Sequence, residues 1–204
     1  MKKVIIAAAL TACAMPAVSM AAAVADMGAY FTHVKADDSS GGSAKGEGVG
    51  LRGRVNLPMT GLFATGEYQT NKLKDDATGA KADFNDERVG AGVESSAGPV
   101  SILARAEYVH TSFEPDTGGK DSNDGYGAHL GVDAGIGIAG VYGSAGYLKL
   151  ADSKGPEILV GARVSIFPLV SLFGEYRYTK ANDSTGSGGD TKLNDYRAGV
   201  KVSF

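Results

Sequence analysis

Residues with the chemistry of catalysis are few in this sequence and far apart. The best-placed pair is His110 and Ser112. One residue separates them, so in an extended chain both side chains point to one side, where an imidazole could take the proton of a hydroxyl nucleophile. Such a pair needs a carboxylate to orient the imidazole. Glu114 is near in sequence but falls in a polar connection, and Asn123-Asp124-Gly125 runs on into Tyr126-Gly127 with no glutamate after it. Asp37-Asp38 and Asp75-Asp76 offer paired carboxylates without an accompanying Asp-x-His or His-x-Asp. His129 and Asp133 are four apart, about 13 Å along a strand, too far to share a metal ion directly. With His33 distant, no His/Cys cluster suits zinc. Asp121-Ser122-Asn123-Asp124-Gly125 approaches a calcium loop, but its spacing is one short and no Glu closes it, so an acidic solvated loop is expected. No cofactor is expected, and a net charge of −3 leaves no basic face for nucleic acid.

The elements that must carry these residues are strands. Apolar residues recur with period 2: Val49, Leu51, Val55 and Leu57 alternate with Gly50, Arg52, Arg54 and Asn56, and the chain ends the same way from Tyr196 to Phe204. Ten such segments are expected, at about 25–35, 46–57, 62–71, 86–96, 100–112, 125–136, 140–150, 157–167, 170–180 and 194–204. Short connections (57–61, 96–99, 137–140, 167–170) alternate with long polar ones (36–45, 72–84, 114–124, 181–192) and one shorter, 151–156. GEY at 66–68 and 174–176, and AEY at 106–108, mark a repeating hairpin. The predicted fold is all-β: a transmembrane antiparallel up-and-down β-barrel of about ten strands, eight being possible.

The first residues read differently. Lys2 and Lys3 precede the apolar run VIIAAAL, and Ser19-Met20-Ala21 offers small residues for cleavage. Residues 1–21 therefore read as a secretory signal peptide and 22–204 as the barrel domain. Leu10-Thr11-Ala12-Cys13 also resembles a lipobox, which would instead make Cys13 a lipidated first residue.

Neighbours in a strand face opposite sides, so the tyrosines of the GEY repeats face with the aliphatics and the glutamates with the charges. Tyr68, Tyr108, Tyr126, Tyr147, Tyr176 and Tyr196 stand near one level, as an interfacial aromatic girdle requires. The opposite face is then a lumen lined by Arg52, Arg54, Glu67, Arg88, Glu94, Arg105, Glu107, Asp133, Glu157, Arg163, Glu175, Arg177, Arg197 and Lys201. Phe63 and Phe173 project into it, glycines make room for the long side chains, and the charges must pair because isolated buried charge is costly. A soluble periplasmic barrel would show the same alternation with its faces exchanged.

The signal segment, RVNLPMTGLFATGEY (54–68), SLFGEYRYTK (171–180) and the terminal YRAGVKVSF together resemble small single-chain bacterial outer-membrane β-barrel proteins, and within them a YfaZ-like or related group. The resemblance implies residence in the outer membrane, contact with its lipid and lipopolysaccharide, and a monomer with no catalytic residues. It also implies Phe204 as part of a C-terminal signal read by the barrel-assembly machinery. The function expected on these grounds is structural, surface-interacting or a narrow channel. The His-x-Ser pair also resembles that of outer-membrane lipid A 3-O-deacylases, with Ser112 as nucleophile and His110 as base; Gly127 stands where their Glu would follow the Asn-Asp-Gly stretch.

Overall fold

The computed structural model describes residues 24–39, 41–151, 153–183 and 190–204. The expected signal peptide, with Cys13 and the cleavage site before Ala22, lies outside the described residues. The rest is ten strands: β1 (Ala25–Asp38), β2 (Ser43–Asn56), β3 (Leu62–Asp75), β4 (Lys81–Ala97), β5 (Val100–Pro115), β6 (Asp121–Ile136), β7 (Ala139–Leu150), β8 (Ser153–Phe167), β9 (Val170–Asp183) and β10 (Thr191–Ser203). Each pairs antiparallel with its successor, and β10 returns to β1 to close the barrel, as in Tyr30 opposite Gly199. Closure removes every sheet edge, the condition for crossing hydrocarbon with strands. At the inner rim, β4–β5 and β6–β7 turn in two residues with Gly98 (φ 61°) and Gly137 (φ 60°). Beside them the Phe204 amide donates to Ala25 (2.8 Å) and the Val24 amide to Phe204 (2.7 Å), which seals the seam.

The period-2 alternation fixes the faces. Phe31 (76% exposed) and Leu130 (69% exposed) look outward with Leu51, Val89, Val141 and Ile158, while the charged positions between them are withdrawn. A barrel in water would bury such residues inside, so the soluble periplasmic alternative is set aside.

The outer ends depart from expectation. Every strand except β7 runs three to five residues further into the supposed loops, leaving only 39–42, 76–80 and 116–120 as connections in the first three outer hairpins. Asp121–Asp124, expected in an acidic loop, opens β6. The reason is an inversion of polarity. Beyond the tyrosines, Val34 is buried between exposed His33 and Lys35, and Leu73 between exposed Lys72 and Lys74. Leu148 is likewise buried beside the exposed Lys149. Here the outward side meets water and the inward side is apolar, so the alternation persists with its chemistry reversed.

Candidate functional site

The lumen is built in tiers from inward-facing positions of all ten strands. In the middle tier each arginine meets several carboxylates. Arg88 on β4 donates to Asp86 (3.0 Å), to Glu107 on β5 (2.9 Å) and to Glu157 on β8 (2.8 Å). Arg197 on β10 donates to Glu67 (2.9 Å), Asp195 (2.7 Å) and Gln69 (2.6 Å), and Arg177 on β9 is 2.9 Å from the same Glu67. Hydroxyls fill what remains: Thr179 donates to Glu157 (2.9 Å), Thr32 to Asp195 and Tyr30 to Gln69 (3.2 Å). Arg177 and Arg197 are almost wholly withdrawn from solvent; Arg197 has all three nitrogens bonded within the protein, whereas Arg177 Nε and Nη1 have no hydrogen-bond partner there.

The inner tier is looser. Arg52 pairs with Glu175, Arg54 with Glu94 and Arg163 with Asp133, one carboxylate to each arginine. Each guanidinium also stacks on a ring: Arg52 over Phe173 and Arg54 over Phe63, both 3.9 Å to the centroid, and Arg163 near Tyr142 at 5.7 Å. Between them lies a cavity of about 190 Å³. Among the described residues, Arg105 Nε, Glu175 Oε2 and Arg177 Nη1 are buried without a hydrogen-bond partner in the protein, and all three residues line it, which gives the cavity the polar groups that hold water. Lys201 is 3.7 Å from Asp26, and Arg105 is 3.1 Å from Glu107.

All fourteen sequence-predicted lumen charges thus project inward, and each stands in at least one ion pair. Asp26, Asp86 and Asp195 were not among them, and they turn an excess of cations into near balance. Asp86-x-Arg88 and Asp195-x-Arg197 place each of two acids on its arginine's face, a spacing legible in the sequence. The glycines admit rings more than arginines: a Cβ at Gly50 would sit 2.2 Å from Tyr30 Cζ, and one at Gly161 would sit 2.6 Å from Tyr142 Cζ.

The structure also assembles a cluster that spacing could not reveal. Ligand-type atoms of Glu107, His129 and Glu157, from β5, β6 and β8, all lie within 4.8 Å of one another, a grouping apart from the His129–Asp133 pair weighed in the sequence. Arg88 Nη1 bonds both carboxylates, so a guanidinium occupies the position a metal cation would take. Sequence reasoning measured distance along one strand, and the cluster forms across strands.

On the outer surface, Tyr108 packs on Tyr126 (5.8 Å) and Tyr176 on Tyr196 (5.0 Å). Tyr68 and Tyr147 are exposed beside them, and Tyr178 shares the outward side. The tyrosine hydroxyls reach toward polar residues at the outer end, Tyr176 to Asn194 at 2.7 Å. His110 has a carboxylate after all: its Nδ1 is 2.6 Å from Asp124, directly opposite in the β5–β6 ladder. The expectation of an unoriented imidazole fails because the acid comes from the facing strand. Ser112, however, takes its hydrogen bond from Asn85 (3.3 Å) on β4, and the serine and imidazole are not joined.

A family model described as outer membrane protein beta-barrel domain matches residues 5–204. No curated protein sequence matches the chain. Solved structures that share the fold include the β-domain of the Bordetella autotransporter Brka, Neisserial surface protein A, and the outer membrane protease OmpT from Escherichia coli. Brka gives a TM-score of 0.55 at 12% identity, covering 89% of this chain and 100% of that one. The Neisserial protein gives 0.53 at 20%, covering 91% and 100%, and OmpT gives 0.51 at 10%, covering 91% and 99%. Such identities speak for the barrel architecture alone. A closed barrel with an outward apolar band, exposed tyrosines and a charged lumen agrees with the family match, and the chain belongs to the outer membrane protein beta-barrel family of the bacterial outer membrane.

Proposed function

We propose that the protein is a non-enzymatic, non-conducting scaffold that spans the outer membrane and carries its function on its outer rim, in surface interaction. The observation that carries this reading is the middle tier. Arg88, Arg177 and Arg197 tie together carboxylates from five strands in side chains withdrawn from solvent, and Val34 and Leu73 are buried beyond them. A continuous wet path would have to break several of these pairs at once. Reconstituted in planar bilayers, the protein is expected to show no steady conductance. Stable openings whose ion selectivity reverses in Arg52→Glu or Arg105→Glu would replace this reading with that of a narrow channel, the alternative favoured by the inner cavity.

The lipid-modifying reading rests on His110 and Asp124. An oriented base without a bonded nucleophile lacks the step that starts acyl transfer. No loss of a 3-O-acyl chain from lipid A is expected; deacylation abolished by Ser112→Ala would make the protein an enzyme. Placement in a YfaZ-like group rests on the patches at 54–68, 171–180 and the C-terminus.

A further inference from the structure

Charge on the outward side of the collar, above the tyrosines, is unevenly distributed around the barrel. On β7 to β10 the outward positions beyond Tyr147, Tyr176, Tyr178 and Tyr196 carry Lys149, Lys154, Lys180 and Lys192, and no outward acid on these strands is found among the described residues. On β4 to β6 the outward charges are mostly acidic: Asp83, Glu87, Glu114 and Asp124, with Lys81 and His110.

The lysines are also opposed. Lys149 stands directly across the ladder from Lys154, and Lys180 from Lys192. Like charges at such positions destabilise a sheet. Lys180 has Asp190 at 3.3 Å, and Asp37 across from Lys192 is taken by Lys35 at 3.0 Å. Lys149, Lys154 and Lys192 have no ion-pair partner among the described residues. A face that keeps two like-charged pairs opposed, with three of the four lysines free of an ion pair among the described residues, is suited to an anion from outside the chain.

We propose that this face binds the phosphate groups of an outer-leaflet glycolipid. The strands that carry the lysines continue downward through tyrosines into exposed Ile158, Val160 and Leu172. The ligand therefore needs anionic groups above, a polar body at the tyrosine level and acyl chains below, which is the build of a phosphorylated saccharide lipid. Lysine takes phosphate as a compact charge with three donors. The acidic face of a second copy is the competing occupant, but a contact between β7–β10 and β4–β6 is head-to-tail, and it closes a ring only if its rotation allows. Lipid headgroups meet every copy. This inference needs only the membrane-spanning barrel, not the closed lumen, so either can fail without the other.

The test uses the full barrel in detergent, with diphosphorylated lipid A as the probe and native mass spectrometry as the readout. Lys149→Gln, Lys154→Gln, Lys180→Gln and Lys192→Gln together should weaken retention of the lipid by at least about tenfold, since each basic residue near an anionic headgroup adds about fivefold. Lipid A stripped of its phosphates should bind the native protein as weakly as the variant binds the intact lipid. A control with Asp83→Asn and Glu87→Gln on the far face should retain the lipid unchanged. Gel heat-modifiability verifies folding, and the pair Lys149→Gln/Lys154→Gln serves should the fourfold variant not assemble. Equal retention by native protein and variant would overturn the proposal, as would equal binding of dephosphorylated lipid. An oligomer in sedimentation that the lysine substitutions dissolve, with lipid retention unmoved, would assign the face to a second copy instead.

Discussion

The middle and inner tiers of the lumen use the same side chains for different ends. In the middle tier Arg88 and Arg197 each bind several acceptors, and Glu67 is shared between Arg177 and Arg197. In the inner tier Arg52, Arg54 and Arg163 each hold one carboxylate and rest on one ring, beside a cavity of about 190 Å³. The difference follows from water. The more deeply an ion is withdrawn, the more of its partners must come from protein; where the pair is partly hydrated, as at Arg54–Glu94, a single carboxylate and a flat apolar support suffice.

The comparison breaks most sharply at Arg88. Arg88→Met leaves Asp86, Glu107 and Glu157 buried without their shared cation and should cost about 3–5 kcal/mol in urea unfolding from vesicles. Adding Glu107→Gln and Glu157→Gln to the same chain should recover much of that loss. A triple variant no more stable than the single one would mean the tier is not held by charge balance.

Placing an arginine in a third environment comes next. Val164→Arg or Val200→Arg puts the cation against lipid, with neither carboxylate nor ring, and should cost about 2–4 kcal/mol near mid-bilayer, read as impaired assembly on heat-modifiability gels. Glu94→Gln, in the wet inner tier, should assemble normally. Normal assembly of both arginine variants with failure of Glu94→Gln would mean that the two faces are exchanged.

Arg54→Gln in the inner tier should be smaller still, about 1 kcal/mol or less in the same unfolding assay, because the pair it breaks is partly hydrated. A loss as large as that of Arg88→Met would erase the distinction between the tiers.

The smallest effect lies outside the membrane. Asp75 accepts the amide (2.6 Å) and hydroxyl (2.7 Å) of Thr78 and the amide of Ala77 (3.0 Å), and these bonds, the Thr78 amide first, lower its carboxyl pKa below the ordinary value. A depressed carboxyl contributes above its ordinary pKa and loses that contribution as pH falls through the depressed one. The protection factors for amide exchange at Ala77 and Thr78, taken relative to the intrinsic rate at each pH, should therefore fall in acid and in Asp75→Ala, with the barrel unfolding unchanged. Protection indifferent to both would leave this loop held by its backbone alone.

How much of this was legible in the sequence varies with the kind of contact. The phase of each strand was, because Val49–Gly50–Leu51–Arg52 can be read in only one alternation. The outer strand ends were not: in Lys72–Leu73–Lys74 the period survives, but the side that is apolar has changed, and a reading that follows one side loses the strand there. Asp124 beside His110 and the meeting of Glu107, His129 and Glu157 depend on register between strands, which no spacing within one strand encodes.

The reversal of polarity at the tyrosines also determines how deep the molecule floats. Sinking by one residue pair would drag Lys72, Lys149 and Lys192 toward hydrocarbon, while rising would lift Val49 and Val89 into water. Both displacements are opposed, and the opposition grows with distance because the cost of a lysine climbs toward the bilayer centre. The barrel thus sits in a narrow potential well along the membrane normal, and its outer rim stands at a fixed height above the leaflet whatever the rim's partner is.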